Sequence, residues 1–372
     1  MTGMRWRKIA WLGVVLLLWG CASRPWGKPT ASPRAVRPSP VILPSPTATP
    51  LPSPSPIAAA QPLAAATPAV NMPAPAPQPL QVVFPTPGPT PRSPWRPPMY
   101  PVPWAPTLHD HFFLARPIPA FYGKLPTTDY RYGGAFFRGE VHTGLDIPGD
   151  PGTPVLAAGR GQVIWAGYGL NSGRPGQKGP YGLAVVIRHA FGWQGHTLYT
   201  VYAHLSEIAV RPGWWVETGT PLGRMGNTGH TTGPHLHFEV RLGAFGGEQG
   251  EVAFETRNPE LWLVPPVGWG VLAGQVLDSW GRPLSHNIVY IASLEDPNFH
   301  WRTYTYVAHN PLVYSDPYYR ENYVFGDLPA GRYRLTVPYG GNFFSQEFTV
   351  RPGRVTFFRF KGWRGFQADA RP

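Results

Sequence analysis

One long stretch of this sequence is not expected to fold, and it limits where packed domains can lie. Over residues 22–104 the chain is dominated by proline, alanine, serine and threonine, and proline makes up 49 of the 372 residues. Such a composition buries too little apolar surface to offset the entropy of ordering, and it favours polyproline II. We therefore predict a disordered, semi-rigid linker that would reach at most about 250 Å at ~3.1 Å per residue.

The residues before the linker have the pattern of an export signal. Residues 1–8 include three basic side chains and precede a mostly apolar run over residues 9–18. This run is shorter than the roughly 20 residues that a bilayer-spanning helix needs. The only cysteine, Cys21, follows this run, and its context LWGC resembles the lipobox of bacterial lipoproteins. We predict a lipoprotein-type signal peptide over residues 1–21, membrane attachment through a lipidated Cys21, and an exported envelope or secreted protein. An ordinary signal peptide with an incidental cysteine is the alternative.

The rest of the chain predicts a mostly β protein. Short apolar runs alternate with turn residues, and no long stretch has helical periodicity. Strands are expected over residues 155–158, 161–167, 183–188, 198–205 and 235–242. We predict an antiparallel β domain over residues 105–265, a smaller β-sandwich over 266–362 and a tail over 363–372.

The net charge of +12 makes an anionic partner plausible. The basic residues are scattered, and no Lys/Arg-rich block of the kind that tracks phosphates is present. A nucleic-acid partner is therefore not predicted. Cell-wall polymers and a membrane surface fit the charge equally well.

Two segments carry imidazole and carboxylate groups at strand spacing. Alternation places His142, Gly144 and Asp146 on one face, and Gly144 is expected to leave open space for an ion. In the second segment His235, His237 and Glu239 share a face, while the residues between them point into a core. We therefore predict that two histidines and one carboxylate, drawn from both segments, form a three-ligand zinc site with a fourth position open to water.

Residues from about Asp110 to Leu263 resemble the lysostaphin-type (LytM-type) zinc endopeptidases, which cut peptides of bacterial peptidoglycan. The resemblance rests on HTGLD at 142–146, YAHLS at 202–206, NTGHTTGPHLHFE at 227–239 and NPELW at 258–262.

By that resemblance His142, Asp146 and His237 would bind one Zn2+ per peptidase domain. His204 and His235 would be the catalytic residues beside the activated water, and the sequence does not divide the proton transfers between them. The implied function is hydrolysis of stem or bridge peptides in peptidoglycan. Glu239 would either orient a histidine ligand or be an ordinary surface or packing carboxylate.

The remaining histidines have weaker contexts. His109 and His111 repeat the His-x-His spacing without the Gly-Pro pair that precedes His235, so a strand-edge or groove-wall position is expected. Whether a segment around His109 blocks the site is left open by the sequence. His230 lies in a turn before the motif. Surface or hydrogen-bonded positions are expected for His189, His196, His286, His300 and His309.

Residues 274–284 and 323–335 alternate strand patterns with turn glycines, and by this pattern the C-terminal region resembles the transthyretin-like modules that serve as regulatory domains of carboxypeptidases. It is expected to be structural, or to bind a wall polymer or a protein. Two alternatives to an enzyme stay open. One is a non-catalytic wall-binding or amidase-activating protein on the same fold, and the other is an adhesin or scaffold that acts through the sandwich.

Overall fold

The computed structural model describes residues 98–119, 130–135, 141–171, 176, 178–243, 255–306 and 310–367. The predicted signal peptide with Cys21, most of the predicted linker and residues 368–372 of the tail lie outside this part of the chain. Strands and turns dominate the described residues, and only short 3-10 turns interrupt them. The predicted mostly β fold is confirmed. No helix in the described ranges is long and apolar enough to cross a bilayer.

The strands of the first half, in chain order, are β1 Leu145–Pro148, β2 Pro154–Leu156, β3 Gly161–Tyr168, β4 Leu183–Trp193, β5 His196–Ile208, β6 Trp215–Val216, β7 Pro221–Met225, β8 His235–Gly243 and β9 Glu255–Arg257. Those of the second half are β10 Trp269–Leu277, β11 Ile288–Ser293, β12 His300–Tyr304, β13 Tyr323–Pro329, β14 Gly331–Tyr339, β15 Asn342–Val350 and β16 Val355–Lys361.

The first nine strands form one antiparallel sheet. Its main order is β1-β8-β5-β4-β3-β6, with β7 paired to β5, β2 to β7 and β9 to β8. In β8 the side chains of Leu236, Phe238 and Val240 are fully buried in the main apolar core. Their alternation with the polar residues confirms the predicted faces of this strand.

The second half is a β-sandwich of two sheets, β13-β10-β16 and β12-β11-β14-β15. The pair β10 and β16 is parallel, and the other pairs are antiparallel. Leu272 and Phe325 from one sheet share a buried cluster with Ile291 and Leu335 from the other. Burial of these alternating apolar residues is the main source of stability of the sandwich.

The nine-stranded sheet and the sandwich share one apolar core. Leu114, which precedes the first sheet, and Trp262, which follows it, belong to the same buried cluster as Val271 and Tyr319 of the second half. Residues 98–104, which the composition assigns to the linker, also pack here: Trp104 is buried, stacks on Tyr100 and donates from Nε1 to the Gly353 carbonyl. The predicted domain limits at 105, 265 and 362 stay a prediction.

Candidate metal centre

The pairing of β1 with β8 places Asp146 opposite His237. Asp146 Oδ1 lies 2.8 Å from His237 Nδ1. His142 precedes β1 rather than lying in it, and its Nε2 approaches Asp146 Oδ1 to 2.9 Å and His237 Nδ1 to 3.2 Å. One potential ligand atom from each of the three lies within 4.8 Å of the others.

The two other predicted site residues lie beside this group. The ring centroid of His204 is 4.7 Å from that of His235 and 5.6 Å from that of His237. His235 Nε2 lies 3.5 Å from Asp146 Oδ2. The structure thus brings all five sequence-predicted site residues together, from β1, β5, β8 and the segment before β1.

His204 has a backbone conformation that the sequence did not predict. Its φ is +63°, a region that non-glycine residues rarely adopt. The pairing of β5 with β7 shifts register just beyond it, between Leu205 and Glu207, and its N–H donates to the Tyr181 carbonyl. Such strain is tolerated where surrounding contacts fix it, and here it turns the imidazole toward β8.

Each of the two histidines among the proposed metal ligands has one ring nitrogen committed to a supporting hydrogen bond. His142 Nδ1 donates to the Arg131 carbonyl at 3.0 Å, which leaves its Nε2 toward Asp146. His237 uses the opposite nitrogen, because Nε2 donates to Glu239 Oε1 at 2.9 Å and Nδ1 faces Asp146. These hydrogen bonds fix the orientation of both rings, as is usual for histidines that ligate metals.

His204 and His235 are supported in the same manner. His204 Nδ1 donates to the Thr228 carbonyl at 2.7 Å, and His235 Nδ1 donates to the Gly233 carbonyl at 2.8 Å. In the neutral rings the Nε2 atoms therefore carry lone pairs that can accept a proton. Two proton acceptors consequently stand next to the candidate metal ligands.

Glu239 is fully buried behind His237. Besides His237, its carboxylate accepts hydrogen bonds from Thr143 Oγ1 at 2.5 Å, from Tyr181 Oη at 2.9 Å and from Arg241 Nε. Of the two interpretations left open by the sequence, the structure supports the one in which this carboxylate orients a histidine. Sequence reasoning missed Arg241, although the same strand alternation points to it.

The carboxylates are held in their charged form. Burial opposes ionisation of Asp146, but the adjacent His142 and His237 imidazoles outweigh it and hold the carboxyl pKa well below its usual range. Burial likewise opposes ionisation of Glu239, and the Arg241 guanidinium with His237 lowers the Glu239 pKa. Both groups therefore stay ionised at neutral pH, as a cation site and its support require.

The histidines divide into two electrostatic classes. Burial alone would lower the pKa of His237, but its hydrogen bonds to Asp146 and Glu239 raise that pKa to about 9. For His204, burial and the neighbouring imidazoles lower the pKa to about 3. Burial also lowers the pKa of His235. His204 and His235 are therefore neutral at pH 7, while a cation that binds His237 Nδ1 has to displace a proton.

The expectation for Gly144 is wrong. A side chain there would place its Cβ 2.6 Å from the Phe238 carbonyl oxygen and 2.9 Å from His237 Cε1. Glycine is required because the chain passes directly against β8, and not because an ion needs space beside it.

His109 and His111 also differ from expectation. His111 is buried, with its ring 4.4 Å from that of Trp262 and its Nε2 3.5 Å from Asp316 Oδ2. His109 stacks on Tyr318 at a centroid distance of 3.4 Å. Both lie within the contact between the sheet and the sandwich, because flanking aromatic residues bury this segment.

The other histidines are placed largely as expected. His189 is buried and hydrogen-bonded, whereas His196, His230, His286 and His300 are exposed. His309 lies outside the described residues.

The donor set fits zinc. Two imidazole nitrogens and one carboxylate oxygen are the kind of ligands that Zn2+ takes in sites with a fourth position open. The second nitrogen of each histidine ligand is already committed to a carbonyl or a carboxylate, so no rearrangement is needed to present the first. A metal centre at His142, Asp146 and His237 is consistent with these residues.

Comparison with known proteins agrees with this geometry. Residues 140–250 match the model of peptidase family M23. Through this domain, the chain belongs to peptidase family M23. The predicted relationship to the lysostaphin-type peptidases is thereby confirmed. The lipoprotein signal and the transthyretin-like module stay predictions.

Several relatives share the M23 domain. The chain is 40% identical over 121 residues to the DD-carboxypeptidase/endopeptidase Mpg of Neisseria meningitidis, covering 32% of this chain and 24% of the relative. It is 41% identical over 100 residues to the peptidoglycan DD-endopeptidase ShyA of Vibrio cholerae, covering 27% and 20%. The solved catalytic domain of the M23 protein EnpA from Enterococcus faecalis is 31% identical, with 32% of this chain and 82% of that chain covered and a TM-score of 0.26. The chain thus spans only about a fifth to a quarter of the length of Mpg and ShyA.

Proposed function

We propose that this protein is a zinc-dependent endopeptidase that hydrolyses peptide cross-links or bridges of bacterial peptidoglycan. The observation that carries the proposal is the convergence of five groups. Three are the cation ligands His142, Asp146 and His237, and two are the neutral imidazoles of His204 and His235. One zinc ion per domain is proposed.

The chain's own residues supply the proton transfers. Zinc, when bound by His142, Asp146 and His237, supplies a water that is nucleophilic at neutral pH and a Lewis acid for the scissile carbonyl. The Nε2 atoms of His204 and His235 are available to accept a proton and to return it to the leaving amine. A protonated ring at either position would also stabilise negative charge that develops on the carbonyl oxygen.

The substrate proposal draws on the relatives. Mpg and ShyA carry DD-endopeptidase in their names, which favours a direct D,D cross-link over a glycine bridge as the bond cut. Peptidoglycan lies outside the cytoplasmic membrane, which suits the predicted export signal. Attachment through Cys21 and a linker that reaches into the wall are parts of the same proposal.

The test is hydrolysis of cross-linked peptidoglycan by the full-length protein loaded with zinc. New amine ends and monomeric muropeptides are expected, with mass spectrometry identifying the bond cut. His204→Ala should slow release by about 10²- to 10⁴-fold, and His196→Ala, which replaces an exposed histidine on the same strand, should not. No release by the parent protein, or equal release by His204→Ala, would refute the proposal.

A non-catalytic wall-binding or amidase-activating protein is the alternative. It predicts that the purified protein binds peptidoglycan or stimulates an amidase without holding stoichiometric zinc. The complete ligand set and the two adjacent imidazoles favour the enzyme. The number of zinc ions bound per chain therefore distinguishes the enzyme from the non-catalytic protein before any activity is measured.

For the sandwich we propose binding of the glycan strand of the same polymer. Trp280 and Trp363 are 79% and 59% exposed, and Phe343 is 72% exposed. A hydrogen bond from the Trp363 N–H to Ser279 Oγ at 3.4 Å places the turn of Trp280 beside that of Trp363. Their large, flat apolar faces can stack on sugar rings.

Sedimentation of His204→Ala protein with insoluble peptidoglycan tests this proposal. Replacement of both Trp280 and Trp363 by alanine should lower the bound fraction. Unchanged binding, or binding to anionic lipid vesicles in place of peptidoglycan, would overturn it.

A further inference from the structure

The position of His142 is set by one short turn, residues 131–134, which we call the His142 turn. The His142 N–H donates to the Gly134 carbonyl at 2.7 Å, and the His142 carbonyl accepts from the Gly133 N–H at 2.8 Å. The ring adds a third hydrogen bond from Nδ1 to the Arg131 carbonyl at 3.0 Å. Backbone and ring of His142 therefore move with this turn.

The Arg131 side chain anchors the His142 turn through contacts on the side that faces away from the metal centre. It is buried, and Nη1 donates to Glu260 Oε1 at 2.5 Å. The same carboxylate oxygen accepts from the Gly326 N–H at 2.9 Å. The guanidinium carbon lies 5.6 Å from the ring centroid of Trp301 and 5.8 Å from that of Phe325. Trp301 belongs to β12, and Phe325 and Gly326 belong to β13, so the sandwich encloses this cation.

The next two residues of the turn also contact the second half of the chain. Tyr132 Oη donates to the Thr256 carbonyl at 2.9 Å and accepts from the Tyr314 N–H at 2.9 Å. Gly133 has φ of +76°, and a Cβ there would lie 2.5 Å from Tyr306 Cδ1. Besides Thr256 of β9, groups from beyond the peptidase sheet thus fix consecutive residues of the turn.

We infer that the β-sandwich is a structural part of the metal centre, because it positions His142 through Arg131. Arg131 is then a positioning residue, and Trp301 and Phe325 form the wall against which it is held. This role rests on the proposed function of His142 as a zinc ligand. Loss of an outer partner of a metal ligand typically costs about 10–100-fold in metal affinity or activity. A similar loss is expected when the Arg131–Glu260 anchor is removed, and a smaller one when a single ring of the wall is lost.

Zinc affinity of the full-length protein tests the inference. The double variant Arg131→Met with Glu260→Gln removes both charges, so no unpaired buried ion remains. Competition with a chromophoric chelator should show zinc binding weakened by about 10–100-fold. The absorption spectrum of the cobalt-substituted protein should change, since it reports the geometry of the ligands. Arg334→Met, an exposed arginine of the sandwich paired with Glu347, is the matched control and should leave affinity unchanged.

A second pair of variants separates positioning from folding. Trp301→Leu keeps the Arg131–Glu260 ion pair and removes the aromatic face, so affinity should fall by a few fold. Trp301→Phe retains a face and should restore it. Should the double variant fail to fold, this pair decides the question.

Three results are distinguishable. A parent protein that binds no zinc defeats the proposed function itself. A parent that binds zinc and hydrolyses peptidoglycan, with parent-like affinity and cobalt spectrum in the folded variants, overturns only the inference. A lower melting temperature of the apo variants with unchanged zinc affinity also overturns it, because the contacts would then be purely structural.

Discussion

The imidazole rings of His204 and His235 lie 4.7 Å apart at an angle of 65°, and each donates its Nδ1 hydrogen to a backbone carbonyl. The pair belongs to adjacent strands, β5 and β8, of one sheet. Both rings therefore present an unprotonated Nε2 beside the candidate ligand Asp146, and His235 Nε2 is 3.5 Å from its Oδ2. Under the proposed function, this arrangement would separate the residues that transfer protons from those that hold the cation.

Removal of either proton carrier should leave metal binding intact. His204→Ala and His235→Ala are each expected to lower the rate of cross-link hydrolysis by about 10²- to 10⁴-fold, since a positioned acid or base contributes that much. Zinc content should stay at one per chain, because neither ring is in the ligand set. Muropeptide release and metal analysis of the same samples check this. Loss of zinc in either variant would move that histidine into the ligand set.

Loss of the shared carboxylate should remove the metal. Asp146 Oδ1 contacts both histidine ligands, so Asp146→Asn replaces a charged ligand by a neutral one at the centre of the group. Zinc affinity and activity should fall together. Added zinc should raise the melting temperature of the parent but not of the variant, since only binding to the folded state stabilises. Stoichiometric zinc in Asp146→Asn would contradict the assignment.

The support behind His237 should affect both stability and metal affinity. Glu239→Gln removes the carboxylate charge of the ion pair with the buried Arg241, and breaking a buried ion pair costs roughly 3–5 kcal/mol of unfolding free energy. It also weakens the acceptor that fixes the His237 tautomer. Urea unfolding of the apo protein and zinc titration should both report a loss. Glu347→Gln, at an exposed ion pair on β15, should change neither.

Acid should destabilise the protein partly through His189. Burial lowers the pKa of this histidine from 6.5 to about 4, although a hydrogen bond to the Arg160 carbonyl opposes the shift. Between these two pH values His189 is therefore protonated in the unfolded chain and neutral in the folded chain. The contribution of neutral His189 to the free energy of unfolding is fully present above the unfolded-state pKa of 6.5, and it is lost as the pH falls towards about 4.

His189→Gln should remove that part of the pH dependence, up to about 3 kcal/mol of unfolding free energy. Urea unfolding of parent and variant, both treated with a chelator, at about pH 7 and about pH 4.5 measures the difference. Parallel losses in the two proteins would show that His189 does not titrate on unfolding.

Much of the site could be predicted because its information is local. The alternation along β8 placed His235, His237 and Glu239 on one face, and the structure confirms that face. The resemblance to a family supplied His204, which no spacing rule connects to the other groups.

The features of the site that could not be predicted depend on contacts between residues that are distant in the sequence. The positive φ of His204 coincides with a register shift between β4 and β5. The role of Arg131 depends on the rings of Trp301 and Phe325, far along the chain. Gly144 shows how a correct residue can be explained wrongly, since the neighbour that requires glycine lies on another strand.

The contact of Gly133 with Tyr306 has a consequence for how this chain can be recombined with others. The ring of Tyr306 comes from the second half of the chain and lies against the turn to which His142 is hydrogen-bonded. A chimaera joined at residue 265 would keep every predicted ligand and still lose this ring. Exchange of the C-terminal region should therefore preserve zinc binding only when the new partner supplies an equivalent surface.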